Sequence, residues 1–258
     1  MKSEVSVIIP TVGGRNSIID SIESIITQKN VKTEIIIVFD HKPVDLSLKE
    51  KYKNIILIKN TGNKGGNACR NLGVSVSKYD IVAFLDDDDT WVNNKLDKQL
   101  EILSKYSINT VVYTGKNIVT VSNSKIKSRY SFFKKPKALA IDSLAIRNFV
   151  GSTSSIILNK SIFNKVKGFN EGLVALQDYE LYIRLAKHNV DFVGINEPLI
   201  NYYIVQNKSS VSKKFNKNLI SSFTVIRLFE SFKNKIRFAY NTIIIYNIKV
   251  LFHKIRFI

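Results

Sequence analysis

The chain has 258 residues, 45% of them hydrophobic and 23% charged, which is typical of a soluble globular protein with one large domain, or one domain and an appendage. A single cysteine excludes a disulfide framework and a multi-cysteine zinc site, and three scattered histidines argue against a histidine-rich metal site. The N-terminus lacks the pattern of a signal peptide, and no run approaches the roughly 20 apolar residues that cross a bilayer, so we expect a cytoplasmic protein.

The strand and helix patterns alternate along the first half of the chain. Apolar runs predict buried strands, and apolar residues that recur every three or four positions predict helices. The predicted strands are 5–9, 34–39, 54–59, 80–85, 110–114, 154–158 and 191–195, and the predicted helices are 17–28, 67–77, 95–106 and 178–188. Repeated β-α-β units with short connections imply an α/β fold of three layers with a mostly parallel central sheet. Residues 122–137, rich in Ser, Lys and aromatic residues, are expected to form a mobile loop or lid.

Four consecutive aspartates, Asp86 to Asp89, directly follow the apolar run 81–85. Such a run predicts a buried parallel strand, whose carboxyl end reaches the crevice where open α/β sheets bind ligands. Four neighbouring carboxylates repel one another, and a hard divalent cation would offset them together with substrate phosphates. A solvated acidic turn after a strand is the alternative interpretation.

Two glycine-rich loops follow other predicted strands. The loop at 10–16 lacks the third glycine of a dinucleotide fingerprint, and the loop at 62–67 lacks the Gly-Lys-Ser/Thr ending of a P-loop, so both of those nucleotide-binding classes are disfavoured. The strand ends still present Asp40, and Arg70 lies on the helix behind the second loop. Together with the aspartates they suit a nucleotide diphosphate and a metal. Taken alone, Asp40 is equally compatible with a turn and Arg70 with a surface ion pair.

Several motifs in order and at the usual spacing resemble glycosyltransferase family 2. They are VSVIIPT at 5–11, EIIIVFD at 34–40, NKGGNACRNLG at 63–73, FLDDDDTW at 84–91, and GFNE at 168–171 followed by QDYELYIRL at 177–185. The family comprises inverting enzymes of the GT-A fold. The resemblance therefore implies a GT-A catalytic domain over 1–212, with 213–258 as a basic helical C-terminal extension.

The resemblance also implies roles for individual residues. Those implied to bind the nucleotide-sugar are Pro10, Thr11, Arg15, Asp40, Gly65, Arg70, Asp86 and Asp87. The DXD motif implies Asp88, with Asp86, as the ligand of Mn²⁺ or Mg²⁺. Asp178 aligns with the general base, and an inverting transfer needs a carboxylate to accept the proton of the acceptor hydroxyl. The alternative for Asp178 is a helix N-cap. The histidine that often follows the last strand is missing, which removes a third protein ligand for the metal.

The implied function is transfer of a sugar from a nucleotide-sugar, a UDP-sugar in our interpretation, to a saccharide or lipid-linked acceptor in the synthesis of surface polysaccharide or glycolipid. The alternative is a non-catalytic protein on a GT-A scaffold that binds nucleic acid or membrane. Nucleic-acid binding alone does not account for acidic residues at three strand ends, so no nucleic-acid partner is expected. The sugar, the acceptor and the oligomeric state are not encoded in any motif we can interpret.

The C-terminal extension carries an unusual share of the net charge of +18. Residues 213–258 contain ten Lys or Arg and one acidic residue, which indicates contact with an anionic surface. Apolar residues on a helical rhythm from 219 to 230, and apolar and basic residues from 238 to 258, are typical of helices that lie in a membrane interface. We therefore expect peripheral contact with the inner face of the cell membrane. The alternative is that these helices pack on the catalytic domain or on a second subunit.

Overall fold

The computed structural model describes residues 3–122, 125–134, 138–205 and 221–244. Its nine strands are β1 (Ser3–Thr11), β2 (Val31–Asp40), β3 (Ile55–Asn60), β4 (Ile81–Phe84), β5 (Thr90–Trp91), β6 (Thr110–Ser122), β7 (Lys125–Ser131), β8 (Ile156–Asn159) and β9 (Asp191–Val205). Its helices are α1 (Ser17–Ile26), α2 (Ser47–Lys51), α3 (Gly66–Ser75), α4 (Lys95–Leu103), α5 (Ala140–Ile146), α6 (Lys160–Lys165), α7 (Gln177–Lys187), α8 (221–226) and α9 (Phe232–Phe238). A single turn of 3₁₀ helix covers Thr153–Ser155, and a π-helical turn covers Ala239–Ile244.

The strands form one sheet in the order β3-β2-β1-β4-β8-β6-β9-β5, and β7 pairs with β6. The pairs β3–β2, β2–β1 and β1–β4 are parallel, so the carboxyl ends of these four strands lie at one edge. In the other half, β8 runs antiparallel to both β4 and β6, while β6 and β9 are parallel. The predicted three-layer α/β architecture is confirmed, with a parallel half and a mixed half.

The parallel half is buried on both faces because its strands are apolar at almost every position. On β1, Val5, Val7 and Ile9 pack in the cluster that contains the buried face of α1, whereas Ile8 belongs to a second cluster on the opposite face. Val38 on β2 packs beside Cys69 of α3. Burial on both faces is the reason for continuous apolar runs rather than an alternating pattern.

The expectation of a mobile loop at 122–137 is wrong for Lys125–Ser131, which form β7. β6 continues to Ser122, and β7 pairs with it antiparallel from Lys116–Ser131 to Ser122–Lys125. The side chains of β7 are largely exposed, Ile126 to 72%, while those at 116–120 of β6 are half-buried. A strand pair that extends beyond the core carries polar residues on both faces, so its composition is that of a loop although its backbone is hydrogen-bonded.

The described part of the C-terminal segment packs on the α/β core. Val225, Phe229 and Phe238 are buried in the main hydrophobic cluster, and the ring of Phe238 lies 5.7 Å from that of Tyr179 on α7. Asn234 donates a hydrogen bond of 2.7 Å to Asp142 of α5. These contacts favour the packing alternative for residues 221–238, while 206–220 and 245–258 lie outside the described residues. No helix within the described ranges is both long and apolar enough to cross a membrane.

Candidate functional site

The carboxyl ends of β1, β2 and β4 meet around a cavity of about 250 Å³. We call it the donor cavity, because the sequence predicts that its residues bind a nucleotide-sugar donor. The predicted site residues that line it are Pro10, Thr11, Arg15, Asp40, Arg70, Asp86, Asp87 and Asp88. Val12, Gly66 and Cys69 complete the lining. The predicted residues come together because parallel strands present their carboxyl ends at one edge of the sheet.

The glycine-rich loop before α3 is held by a residue of the neighbouring strand. Oδ1 of the buried Asp40 accepts a hydrogen bond of 3.0 Å from the backbone N–H of Gly65. Gly65 has φ +117°, a conformation that L side chains rarely adopt. Gly66 then opens α3 at the cavity, and helix N-termini attract anions such as phosphate.

Hydroxyl groups of α1 support the aspartate turn from behind. The N–H of Asp89 donates to the carbonyl of Asp86 at 3.1 Å, which closes the turn. Ser17 donates to the carbonyl of Asp87 at 2.8 Å, and Ser21 donates to the carbonyl of Asp89 at 2.8 Å. The aspartates therefore form an ordered turn rather than a solvated acidic one.

Ser154, which the sequence reasoning missed, supports the same turn from the other side. Its Oγ donates to Asp89 at 2.7 Å and accepts from the N–H of Asp86 at 3.2 Å. Its carbonyl accepts from the indole N–H of Trp91 at 3.0 Å. Nothing in the sequence marks this serine, because its proximity to the turn depends on the pairing of β8 with β4.

Two arginines neutralise part of the aspartate turn. Arg70, mostly buried, pairs with Asp86. Asp87 accepts hydrogen bonds from Thr11 at 2.6 Å and from Arg15 at 2.7 Å. Arg70 is therefore not the surface ion pair of the alternative interpretation, since it reaches the donor cavity from α3.

Asp88 is the least engaged of the four carboxylates. Its only ion pair among the described residues is with Arg15 at 3.1 Å, and its side chain is half exposed. Partial burial, with the nearby Asp86 carboxylate, raises the pKa of Asp88 above the ordinary aspartate value. A cation at this point would relieve the excess negative charge.

The donor set fits a divalent cation that is shared with a diphosphate. Within the described ranges, no group of three or more His, Cys, Asp or Glu side chains is placed to hold a metal alone. Mg²⁺ is commonly bound by one or two carboxylates, with water and substrate phosphates as the other ligands. The available carboxylate of Asp88 matches that pattern.

Asp178 lies in the first turn of α7 and lines a second cavity of about 300 Å³. We call it the base cavity, because the sequence predicts Asp178 as the general base. Its Oδ1 accepts from the N–H of Tyr179 at 2.7 Å. Leu176, with φ 57°, occupies the N-cap position, so the N-cap alternative for Asp178 is wrong. Burial raises the pKa of the Asp178 carboxyl, against the opposing effects of that N–H and of the Arg70 and Lys116 charges.

Lys116 and Tyr202 form the wall of the base cavity and were also missed from the sequence. The Lys116 Nζ lies 4.3 Å from the centre of the Tyr202 ring. Burial lowers the pKa of Lys116, whereas the charges of Asp89 and Asp178 raise it. Burial and the neighbouring carboxylates, Asp89 first, raise the pKa of Tyr202 to about 12. Both residues therefore lie within the electrostatic reach of the aspartate turn.

Comparison with protein families finds a match to the model described as glycosyl transferase family 2 over residues 6–167. The putative teichuronic acid biosynthesis glycosyltransferase TuaG of Bacillus subtilis is 27% identical over 217 residues, which cover 82% of this chain and 83% of TuaG. The Escherichia coli protein WfgD, named as a UDP-Glc:alpha-D-GlcNAc-diphosphoundecaprenol beta-1,3-glucosyltransferase, is 26% identical over 229 residues, with 86% and 85% covered. Amylovoran biosynthesis glycosyltransferase AmsB of Erwinia amylovora is 27% identical over 219 residues, with 81% and 72% covered.

Solved structures of similar fold include S. aureus TarS. Residues 1–349 of TarS match with a TM-score of 0.66 at 18% identity, covering 92% of this chain and 70% of that one. The same TarS fragment in complex with UDP-GlcNAc matches with a TM-score of 0.63. The chain spans 41% of a longer TarS chain. At this identity the likeness shows the fold, which is the predicted glycosyltransferase fold.

Proposed function

The chain belongs to glycosyl transferase family 2, and from that premise we propose that it transfers a sugar from a nucleotide-sugar, a UDP-sugar, to a saccharide or lipid-linked acceptor with inversion at the anomeric carbon. The observation that carries this proposal is the joining of three strand ends in the donor cavity, with Asp178 in the neighbouring base cavity. A donor held at the first cavity would present its sugar towards the carboxylate of the second.

On the donor side, Asp40 is the proposed partner of the nucleobase, with Pro10 and Thr11 beside it. Gly65 and the N-terminus of α3 are proposed to face the diphosphate, along with Arg15. The aspartate turn borders the ribose and diphosphate through Asp86 and Asp87, whose arginine partners also offer positive charge to the phosphates.

The proposed cofactor is Mn²⁺ or Mg²⁺, held by Asp88 with Asp86 and the donor diphosphate. The metal would supply positive charge to the departing diphosphate. Arg15 and Arg70 lie at the same turn and carry part of this task without a metal. Metal dependence therefore forms part of the test.

On the acceptor side, Asp178 is the proposed general base. It takes the proton of the acceptor hydroxyl while that oxygen attacks the anomeric carbon, and the bond from this carbon to the diphosphate oxygen breaks to release the nucleoside diphosphate. A pKa raised by burial brings the carboxyl closer to the operating pH, where a general base is most effective.

The acceptor and the setting are inferred from the relatives. The name of WfgD specifies a diphosphoundecaprenol-linked acceptor, and AmsB and TuaG are named for amylovoran and teichuronic acid biosynthesis. We propose a corresponding role in bacterial surface polysaccharide or glycolipid synthesis. A cytoplasmic protein in peripheral contact with the anionic inner face of the cell membrane would meet such an acceptor, and the basic C-terminal segment supports that contact.

The test is a screen of nucleotide-sugars by thermal shift, followed by hydrolysis assays. A true donor stabilises the fold by about 2.7 kcal/mol at a concentration 100 times its Kd. Hydrolysis of that donor should require Mn²⁺ or Mg²⁺ and stop in excess chelator. If no nucleotide-sugar stabilises the protein or is hydrolysed, the proposed function is wrong. If hydrolysis persists in excess chelator, only the proposed metal dependence is wrong, and the proposed sugar transfer stands.

A further inference from the structure

We propose that the base cavity is a subsite for a single neutral pyranose of the acceptor, and that Lys116 is its specificity-determining residue, donating a hydrogen bond to a hydroxyl next to the one that attacks. This inference rests on the proposed function, since it names the acceptor chemistry of the same site. Its specificity-determining residue, Lys116, lies outside the motifs quoted above and was missed by the sequence reasoning.

The size and lining of the base cavity suit one sugar ring. Its volume of about 300 Å³ lies at the lower end of ligand pockets. The aromatic rings that line it are Phe132, Phe133, Phe149 and Tyr202. The C–H faces of a pyranose are apolar and pack well on such rings, while its edge of hydroxyls needs polar partners. The remaining lining is largely polar: Thr114, Lys116, Ser131, Asn148, Ser152, Ser155 and Asp178.

Two hydroxyl groups in this lining have no hydrogen-bond partner among the described residues. They are Oγ1 of Thr114, a residue that is 4% exposed, and Oγ of Ser152. Burying a hydroxyl without a partner is costly, and native structures rarely leave such groups unpaired. Both oxygens are themselves buried, so they add polarity behind the lining, and the direct partners available to sugar hydroxyls are the side chains of Lys116 and Asp178.

The backbone of β6 is irregular where it presents these residues. Its pairing with β9 shifts register between Thr114 and Gly115 and again between Gly115 and Lys116. Bulges of this kind are common beside active sites, where they redirect side chains. A Cβ at Gly115 would lie 2.8 Å from the carbonyl oxygen of Glu197, so the close backbone approach requires glycine.

The ammonium group of Lys116 is available to donate hydrogen bonds to a ligand. It lies over the Tyr202 ring, and no carboxylate oxygen of the described residues comes within 4.0 Å of its Nζ. It nevertheless interacts with the carboxyl groups of Asp89, Asp178 and Asp86, although burial raises the pKa of the Asp89 carboxyl to about 8 and so reduces its share of the negative charge at neutral pH. A second anion, such as a uronic acid carboxylate, would be repelled by these groups. A neutral sugar is favoured for that reason.

The pair of Asp178 and Lys116 would then fix the orientation of the ring. Asp178 accepts the proton of the attacking hydroxyl, and Lys116 donates to an adjacent one. An acceptor with no hydroxyl at the adjacent position would leave the buried ammonium unpaired, which is how polar sites discriminate strongly between related substrates.

The test compares Lys116→Met with Lys127→Met, a matched control on the exposed face of β7. Acceptor KM is measured with octyl β-glucoside, octyl N-acetyl-α-glucosaminide and octyl β-glucuronide, and the donor Kd is measured separately by isothermal titration. We expect Lys116→Met to raise the KM of a neutral acceptor about tenfold or more, with the donor Kd within about twofold of the parent, since a hydrogen bond from a charged group to the acceptor is lost. Lys116→Arg should recover part of the loss.

Each other outcome overturns the proposal in a recognisable way. An increase in the donor Kd as large as the increase in acceptor KM would assign Lys116 to the donor side. A preference for the glucuronide that disappears in Lys116→Met would make the subsite anionic. If Phe133→Ser, a change at a 42% exposed ring, leaves acceptor KM unchanged as well, the sugar lies elsewhere. Absence of donor hydrolysis in the parent protein would instead count against the proposed function itself.

Discussion

Among the four consecutive aspartates, three are held by the protein and one is available. Arg70 holds Asp86, Thr11 and Arg15 hold Asp87, and Ser154 holds Asp89. Among the described residues, Asp88 pairs only with Arg15, at 3.1 Å. The four aspartates thus differ in their surroundings, because each contacts different residues. A run of four identical residues in the sequence does not reveal this difference.

Replacement of Asp88 tests this division. We expect Asp88→Asn to lower transfer roughly 100-fold or more, because the variant removes the charge proposed to hold the cation against the diphosphate. The melting temperature should change little, since the side chain is half exposed. Asp20→Asn, at an exposed position of α1, is the control. Full activity of Asp88→Asn at limiting Mn²⁺ would remove Asp88 from the metal site.

Asp178 should be essential for transfer but not for donor binding. Asp178→Asn removes the proton acceptor and keeps the shape of the side chain, so transfer should fall by about 10²–10⁴-fold while the donor Kd stays within twofold or so. Isothermal titration with the donor and an acceptor assay separate the two quantities. A collapse of donor affinity would make Asp178 a structural or donor-side residue.

The pH profile provides an independent test of Asp178. Burial raises its pKa, and the base works only when ionised, so transfer should decline as pH falls through a value above the ordinary aspartate pKa of about 3.9. The charges of Lys116 and Arg70 lower that pKa, while Asp86 raises it. Lys116→Met should therefore move the acidic limb of kcat to higher pH. An unmoved limb would assign the titration to another group.

Some residues of the candidate site could be predicted from the sequence, and others could not. Thr11, Asp40 and Asp88 could be predicted because each follows an apolar run, and parallel strands align such ends without further information. Ser154, Lys116 and Tyr202 could not, because they reach the site through β8, β6 and β9, whose mixed order is set by tertiary pairing. The acceptor side is therefore the part that required the structure.

At the scale of elements, α3 joins the two sides of the site. Its Asn67 donates to the carbonyl of Asn170 at 2.7 Å, and its Asn71 donates to the carbonyl of Phe169 at 2.9 Å. Arg70, from the same helix, reaches the aspartate turn. Hydrogen bonds thus connect the segment GFNE at 168–171 to α3, which borders the donor cavity. The two sequence motifs, NKGGNACRNLG and GFNE, are therefore in contact in the fold.

The position of α3 depends on a close contact with β1. A Cβ at Gly73 would lie 2.5 Å from Cγ2 of Ile8. Gly73→Ala should therefore destabilise the protein by about 1–3 kcal/mol through overpacking, although alanine is the better helix former by up to about 1 kcal/mol. Urea unfolding measures the change, with Ser75→Ala on the exposed side of α3 as control. A stabilised Gly73→Ala would mean that the helix can shift without cost.

The whole molecule combines a compact catalytic unit with a strongly basic surface. Val225, Phe229 and Phe238 extend the main core, and Lys187 pairs with Glu230 at 3.0 Å, so the segment 221–238 contributes to the stability of the domain. Removing residues 213–258 would expose the partners of these side chains and lower the free energy of unfolding. A deletion is consequently a poor test of membrane binding, because loss of binding could follow from loss of the fold.

A better test uses the outward face of α9. Phe232, Ile236 and Tyr240 are 77%, 53% and 56% exposed and recur every four residues, while Asn234 and Phe238 face the domain. Lys233, Lys235 and Arg237 lie between them, and exposed apolar side chains among basic ones are typical of contact with an anionic bilayer.

The double variant Phe232→Ser with Ile236→Ser should weaken sedimentation with phosphatidylglycerol vesicles without lowering the melting temperature, because it removes only exposed apolar surface. The control is Ile108→Ser, another exposed isoleucine, on the loop after α4. Binding should also fall with added salt, since the basic residues contribute through screened charge. Unchanged sedimentation of the double variant would exclude α9 as the membrane contact. Equal binding to phosphatidylcholine vesicles would exclude an electrostatic contribution to membrane binding, because a neutral bilayer does not attract a protein with a net charge of +18.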